Sequence, residues 1–392
     1  MLKHFLLLLL MLWVGLTPLS ASAVKYKGDL EANESVTLPE QGMKPTNPSA
    51  SKRKLYFKDD GAAYSLDSTG NENPIARSGI KNHLINGGFR LWQRGTSFTS
   101  SDTYGADRWR HAYSDGAGTT SRLPFALGQT DVPGEPRYYW RHSRTTAATV
   151  TSTVIRQRIE GVRTFAGTTA TWSFYGKCGL AKTFNLFIFQ NFGTGGSPSS
   201  QEVTGPIAFN CGISWGQHRF TFDIPAVAGK TVGTNGNDYI EIVLQESGTF
   251  STFTLDLAQV QLEKGSVATP FEYRPVAMEL DLAQRYYSKT YNYETEPGSS
   301  TSTGYVEGGA SGLTNGNHAI RVHWSFPVRM RAVPIVTLYS LNGNSGKWTD
   351  ASNSDRPVTA QRTGQLGTNI EVSLTATGDL RVGGHVTADA EL

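Results

Sequence analysis

Apolar and polar residues alternate in short runs along most of this chain. The segments Thr153–Ile159, Thr169–Lys177, Phe184–Asn191, His218–Ile224, Tyr239–Gln245 and Thr252–Leu262 each carry the two-residue period of a strand. Turn-rich stretches such as Gly193-Thr194-Gly195-Gly196 and Gly233-Thr234-Asn235-Gly236 separate them. Short strands without intervening helices predict an antiparallel sandwich or jelly roll. Upstream, Leu84 and Ile85, the pair Asn86-Gly87, and the alternate apolar residues Phe89 and Leu91 predict an opening strand. Toward the other end, Ala319–Phe326, Val333–Leu338, Asn369–Leu374 and Leu380–Val386 predict a second β-domain. Only around Met278–Tyr287 does the period become helical, with Met278, Leu282 and Tyr286 on one face.

These patterns divide the chain into five parts. Residues 1–23 combine Lys3 and His4, an apolar run from Phe5 to Leu16, and the small residues Ala21-Ser22-Ala23. That is the anatomy of a secretory signal peptide, with a retained anchor or a mis-assigned start before Val24 as alternatives. Residues 24–80 form a small module in which Lys54–Lys58, the turn Asp59-Asp60-Gly61 and Ala63–Leu66 spell a hairpin. Residues 81–275 are the jelly roll, 276–290 a connector helix, and 291–392 a C-terminal β-sandwich domain. The fold class expected is therefore mainly β.

Composition agrees and removes some functions. Glycine contributes 42 of 392 residues, aromatics 11 % and charged residues only 18 %, which favours strands and turns over solvated helices. A net charge of +3 is small for this length, and apart from Lys52-Arg53-Lys54 the basic residues are dispersed, which argues against nucleic-acid or membrane-surface binding. Cys178 lies in phase with Trp172 and Phe174, and Cys211 with Phe209, Ile213 and Trp215. Both thus read as core-facing free thiols, with a single bridge between them as the alternative.

Several segments resemble one family. The opening Asn86-Gly87-Gly88-Phe89-Arg90-Leu91-Trp92 with Asp107-Arg108-Trp109, and the exit "AQVQLEKGSVATPFEYRP", look like the start and close of jelly-roll modules in phage tail fibres, which are similar to carbohydrate-binding jelly rolls. "KLYFKDDGAAYSLDSTG" resembles the virion-proximal segment of such fibres. "AQRYYSK", "FPVRMRAVPIV" and "GGHVTADAEL" resemble the C-terminal domain of tail-associated host-recognition proteins. The resemblance implies a virion tail protein that binds host surface polysaccharide or lipopolysaccharide, contacts other tail proteins and forms a homotrimer. The signal-like start favours a different setting, a secreted or periplasmic carbohydrate-binding protein, possibly of prophage origin. The family often holds a structural calcium with an acid directly after the motif's Phe; Arg90 stands there, so no metal is expected, and no cofactor.

Catalytic signatures are missing from the sequence. It has no Gly-x-Ser-x-Gly elbow, His-Glu-x-x-His pair or phosphate loop, and its eight histidines are scattered. Glu279 with Asp281, or Asp59 with Asp60, are close in sequence only, whereas a glycosidase pair is defined by its separation across a cleft. The expectation is a binding protein without catalytic residues, with a polysaccharide depolymerase as the enzymatic alternative. Sugar binding needs exposed aromatic faces beside amides and acids. Trp348, in a polar stretch with Asn342, Asn344 and Asp350, is the first candidate; Tyr138, Tyr139 and Trp140 are the second. Trp92, Trp109, Trp172 and Trp215 are assigned to the core.

Overall fold

The computed structural model describes residues 40–41, 45–58, 63–70, 72–74, 80–100, 102–112, 117–147, 153–246 and 251–392. The signal-like segment 1–23 and the turn Asp59-Asp60-Gly61 lie outside them. Residues Met1–Asn71 and Glu72–Leu392 are two separate compact units. In the first, β1 (Glu40–Gln41) runs parallel to β2 (Lys54–Lys58), and β2 pairs antiparallel with β3 (Ala63–Leu66). Tyr56 faces Tyr64 across this hairpin, and the two pack with Leu66.

The second unit begins with β4 (Glu72–Pro74) and contains a sandwich of two six-stranded sheets. One sheet joins β13 (Glu202–Cys211), β12 (Lys182–Asn191), β15 (Tyr239–Glu246), β10 (Thr153–Glu160), β7 (Arg110–His111) and β6 (Thr103–Tyr104), in that order. The other joins β14 (Gly216–Asp223), β11 (Thr169–Cys178), β16 (Phe253–Lys264), β9 (Tyr138–Arg144), β8 (Gly118–Pro124) and β5 (Ser97–Phe98). Trp172, Phe174 and Leu255 from one sheet meet Phe184, Ile242 and Leu244 from the other in a dry core. Two antiparallel sheets with these crossovers make a jelly-roll-type sandwich.

Cys178 ends β11 and Cys211 ends β13, so their disulfide ties the two sheets together. The reading of two free thiols is corrected here. Both side chains are buried, as their phase required, and the bridge follows from two strand ends stacking across the core, which spacing along the chain does not encode.

The expected opening strand is also corrected. Residues 84–88 are bends and turns, with Asn86 and Phe89 in the left-handed region at φ 58° and 51°. The Asn86 side chain replaces a strand ladder: its Nδ2 donates to the Leu91 and Asp107 carbonyls at 2.8 and 3.1 Å, and its Oδ1 accepts from Leu91 N–H at 3.0 Å. Trp92 and Trp109 donate their indole N–H groups to the Phe89 and Asn86 carbonyls. A Cβ on Gly87 would come within 2.0 Å of the Val260 carbonyl oxygen, so this tight approach to the closing strand requires glycine.

Beyond the sandwich, α1 (Val276–Gln284) starts at Pro275 and buries Ala283. The expected face is corrected: Met278 is exposed and Tyr286 is buried past the helix end. Next come β17 (Tyr287–Lys289), β18 (Val306–Ser325), β19 (Ile335–Tyr339), β20 (Lys347–Asp350), β21 (Asp355–Pro357), β22 (Thr359–Gln361) and β23 (Gly367–Asp389). The two strands expected at Asn369–Leu374 and Leu380–Val386 are one, and β23 pairs with β17, β18, β19, β20 and β22. Trp324, Met330, Leu338, Trp348, Ile370 and Val386 contribute to this second core.

Candidate functional site

The first candidate from sequence does not form a sugar site. Trp348 lies on β20, is 0 % exposed and packs in the second core. Its polar neighbours serve a turn: Asn342 and Asn344 donate to Asp355 at 3.0 and 2.6 Å, and Asp350 accepts from Ser352 and Ser354 N–H and pairs with Arg356. Trp140, at 1 % exposed, faces the core from β9, which turns Tyr139 outward. Tyr138 lies half-buried under the Arg122 and Arg137 guanidiniums. The assignment of Trp215 to the core is corrected as well. Strand β13 stops at Cys211, so the phase is lost through Gly212, and Trp215 sits half-buried against Phe125 and Tyr139.

The outward face of the sheet containing β12 and β15 was not singled out from sequence. On β12, Phe184, Leu186 and Ile188 point into the core. Asn185, Phe187, Phe189 and Asn191 are therefore on the other side. Their register partners on β15 are Gln245, Val243, Glu241 and Tyr239, and the next strand adds Arg156 beside Val243 and Arg158 beside Glu241. Four such rungs span about 20 Å along the strands. The Phe187 and Phe189 rings stack with centroids 5.8 Å apart and are half-buried. Between them and the arginines, Val243 and Glu241 are only 5 % and 8 % exposed, so they form the floor of a furrow. The side chains of Asn185 and Gln245 make no hydrogen bond among the described residues, whereas Asn191 accepts from Gly193 N–H and donates to Gln201.

The far half of this face is closed. Arg158 bridges Glu241 at 2.8 Å and donates to the Leu392 carbonyl at 2.8 Å, with Tyr239 lying under its guanidinium. Tyr104 donates to the same carbonyl at 3.0 Å. The buried Arg108 pairs with Glu391, donates to the Arg158 carbonyl at 2.6 Å and stacks on Tyr286. Arg94 reaches Asp389 and Glu391 from the motif loop. Burial pushes the Glu160 carboxyl up, but hydrogen bonds from Arg285 and Tyr286 together with the charges of Arg285 and Arg331 outweigh it and hold the group below its usual range. Residues 389–392 thus fasten the C-terminal domain to the sandwich edge.

A separate hollow of about 30 Å³, roughly room for one or two waters, brings Glu272 and Glu279 together. Arg274 lies between them, bonding both carboxylates and the Asn82 and Leu84 carbonyls. Burial raises the Glu279 carboxyl, and Asn86 N–H and Arg274 oppose it. This cluster is a structural clamp around an internal cation. Asp256, on the closing strand β16, is taken by Arg141 at 2.6 and 2.7 Å.

No family model matches the sequence, and no curated protein sequence matches it. Among solved structures, the chain is similar to the N-terminal cellulose-binding domain of a Cellulomonas fimi β-1,4-glucanase (TM-score 0.28, 16 % identity, 44 % of this chain and 97 % of that one). A family 11 carbohydrate-binding module from Clostridium thermocellum, in complex with a mixed-linked tetrasaccharide, gives 0.27, 12 %, 45 % and 99 %. The enzymatically active domain of a bacteriophage CBA120 tailspike protein gives 0.29, 12 %, 47 % and 21 %. Scores this low assign neither fold nor ligand. The class, a mainly β protein built on an antiparallel jelly-roll sandwich, rests on the strand order above.

Proposed function

We propose that this chain binds an extended surface glycan along the furrow between β12 and β10, without covalent chemistry, as a host-recognition protein of a phage tail. The observation that carries the glycan reading is the pair of stacked phenylalanine rings on an outward sheet face, beside the unpartnered amides of Asn185 and Gln245. Pyranose C–H groups pack on aromatic faces, and hydroxyls exchange hydrogen bonds with amides, carboxylates and guanidiniums. The tail assignment rests on the resemblance of the opening, exit and C-terminal segments, and on that reading residues 24–80 attach the chain to the particle. Weak single sites then act together through copies of the chain in a homotrimer.

The disulfide favours a second setting. Bridges persist in oxidising compartments, so Cys178–Cys211 supports an exported carbohydrate-binding protein whose segment 1–23 is removed. The mature N-terminus separates the two: Val24 as first residue supports export.

The glycan reading is tested by titrating oligosaccharides released from host surface polysaccharide into the full chain and its Phe187→Ala and Phe189→Ala variants. Each variant is expected to lose about 1–2 kcal/mol of binding, roughly tenfold in Kd, while staying folded at the assay temperature with an unfolding midpoint lowered by the lost ring packing. Parent-like binding by both variants would refute the site. Reducing ends appearing in the mixture would establish the depolymerase instead.

A further inference from the structure

The opposite sheet carries an aromatic corner that the furrow does not use. Phe125, Tyr139 and Trp215 come from the β8–β9 loop, from β9 and from the turn before β14. Their rings pack mutually, with centroids 4.8 Å (Phe125–Tyr139), 5.3 Å (Phe125–Trp215) and 5.5 Å (Tyr139–Trp215) apart. None of the three belongs to the sandwich core. Beside them, the Arg141 guanidinium lies 5.6 Å from the Tyr139 ring centre and is gripped by Asp256 through Nε and Nη2. Asp256 is 3 % exposed and Arg141 32 %, so a buried carboxylate fixes a guanidinium whose outer edge faces solvent.

Three donors here have no acceptor among the described residues: the Trp215 indole N–H, the Tyr139 hydroxyl and Arg141 Nη1. Among the core tryptophans, Trp92 and Trp109 have their indole donors satisfied and Trp172 and Trp348 do not, so what marks this corner is the grouping of three open donors beside half-buried rings. An apolar protein partner would leave such donors unpaired at a cost. A polyol fits them, because one sugar ring covers an aromatic face with its C–H side and offers hydroxyl acceptors at its rim.

We infer that Phe125, Tyr139, Trp215 and Arg141 form a second carbohydrate site, for a single neutral pyranose, on the sheet face opposite the furrow. It is independent of the furrow and makes each chain divalent.

The test uses the full chain labelled with ¹⁵N, with the Trp215 indole resonance identified by Trp215→Phe. Methyl glucoside, methyl galactoside and N-acetylglucosamine are titrated separately. The expected result is a saturable shift of the Trp215 indole signal by at least one sugar, with Kd about millimolar. The shift persists in a Phe187→Ala/Phe189→Ala double variant and weakens at least tenfold in Tyr139→Ser, whose unfolding midpoint is recorded alongside. A Trp215 signal that no sugar moves would overturn the proposal, whether or not the furrow binds. So would a signal that broadens with protein concentration alone, which would assign the corner to self-association; Ile213, two residues from Trp215, is 66 % exposed and would join such a contact.

Discussion

One sheet face is built in two ways on adjacent strands. On β10, β7 and β6 its outward groups include Arg156, Arg158, Arg110 and Tyr104, and each reaches an acceptor in the chain (Asp102, Glu241, or the Leu392 carbonyl), although Arg110 Nε and Arg156 Nε donate to none among the described residues. On β12 and the facing end of β15 the outward groups include Phe187, Phe189, Asn185, Gln245 and Asn191; the Asn191 amide is hydrogen-bonded, and those of Asn185 and Gln245 have no partner among the described residues. Both halves share one ladder and one core, so backbone geometry cannot explain the difference. The satisfaction of polar groups does. A half whose charges are matched inside the chain is an internal joint, whereas a half with part-exposed rings and amides that meet only solvent keeps its surface open to a ligand.

The joint gives the largest expected effect. Arg108 is 1 % exposed at its side chain and Glu391 is 6 % exposed, so Arg108→Ala removes a buried cation from the Glu391 carboxylate and leaves it only Arg94, at 3.3 Å. The expected cost is about 3–5 kcal/mol in denaturant unfolding. Arg108→Ala should also speed proteolysis around residues 276–290, while glycan binding by any molecules still folded keeps the parental Kd. A variant that unfolds like the parent would show that the joint is held by packing alone. One that stays folded but loses sugar binding would show that the two halves are coupled.

Protonation next separates the stability of the sandwich from the furrow. Burial lowers His111 to about 4 and His142 to about 3. In the unfolded chain both return to about 6.5. The folded state therefore binds fewer protons in this range, so stability is complete above about pH 6.5 and falls as pH drops toward the folded values. The slope is about 1.4 kcal/mol per pH unit for each histidine. The furrow strands β10, β12 and β15 contain no histidine, so Kd is expected to stay flat while the unfolding free energy declines between about pH 6.5 and 5. Parallel decline of both would mean that the furrow depends on the joint. His111→Gln should reduce the slope by one residue's share.

What was legible in the sequence follows the same division. Alternation located β10, β11, β12, β14, β15 and β16 of the sandwich, because a buried face imposes a period of two wherever the other face is polar, and it missed β13 and the short strands from β5 to β9. It could not orient Phe184–Asn191, where apolar residues at 184, 186, 187, 188 and 189 fill both faces; only pairing with β15 decides which rings point outward. Trp348 was misplaced for the converse reason: its polar neighbours serve Asp355 and Arg356, and that service looks like loop composition. Trp215 kept the phase of Phe209 and Cys211 on paper, but the strand had already ended. The opening motif shows alternation without a ladder, since Asn86 supplies the hydrogen bonds locally. Cys178 and Cys211 were readable as buried, and their pairing was not, because it depends on how two sheets stack.

The smallest effect is also the sharpest test of what idle amides mean. Gln245 lies opposite Asn185 at one end of the furrow, and its side chain makes no hydrogen bond among the described residues. Gln245→Ala removes nothing from the folded protein, so its unfolding free energy should stay within about 0.5 kcal/mol of the parent. If the amide exists to meet a hydroxyl, glycan affinity falls by about 0.5–1.5 kcal/mol, the net worth of one hydrogen bond. That loss should be smaller than the one from Phe189→Ala, because a ring contributes area as well as direction. It should also vanish for a ligand lacking the hydroxyl that Gln245 meets, so a deoxy-sugar series assigns the contact. Equal affinities for parent and variant across that series would place the ligand's end short of Gln245 and shorten the furrow to the two phenylalanine rungs.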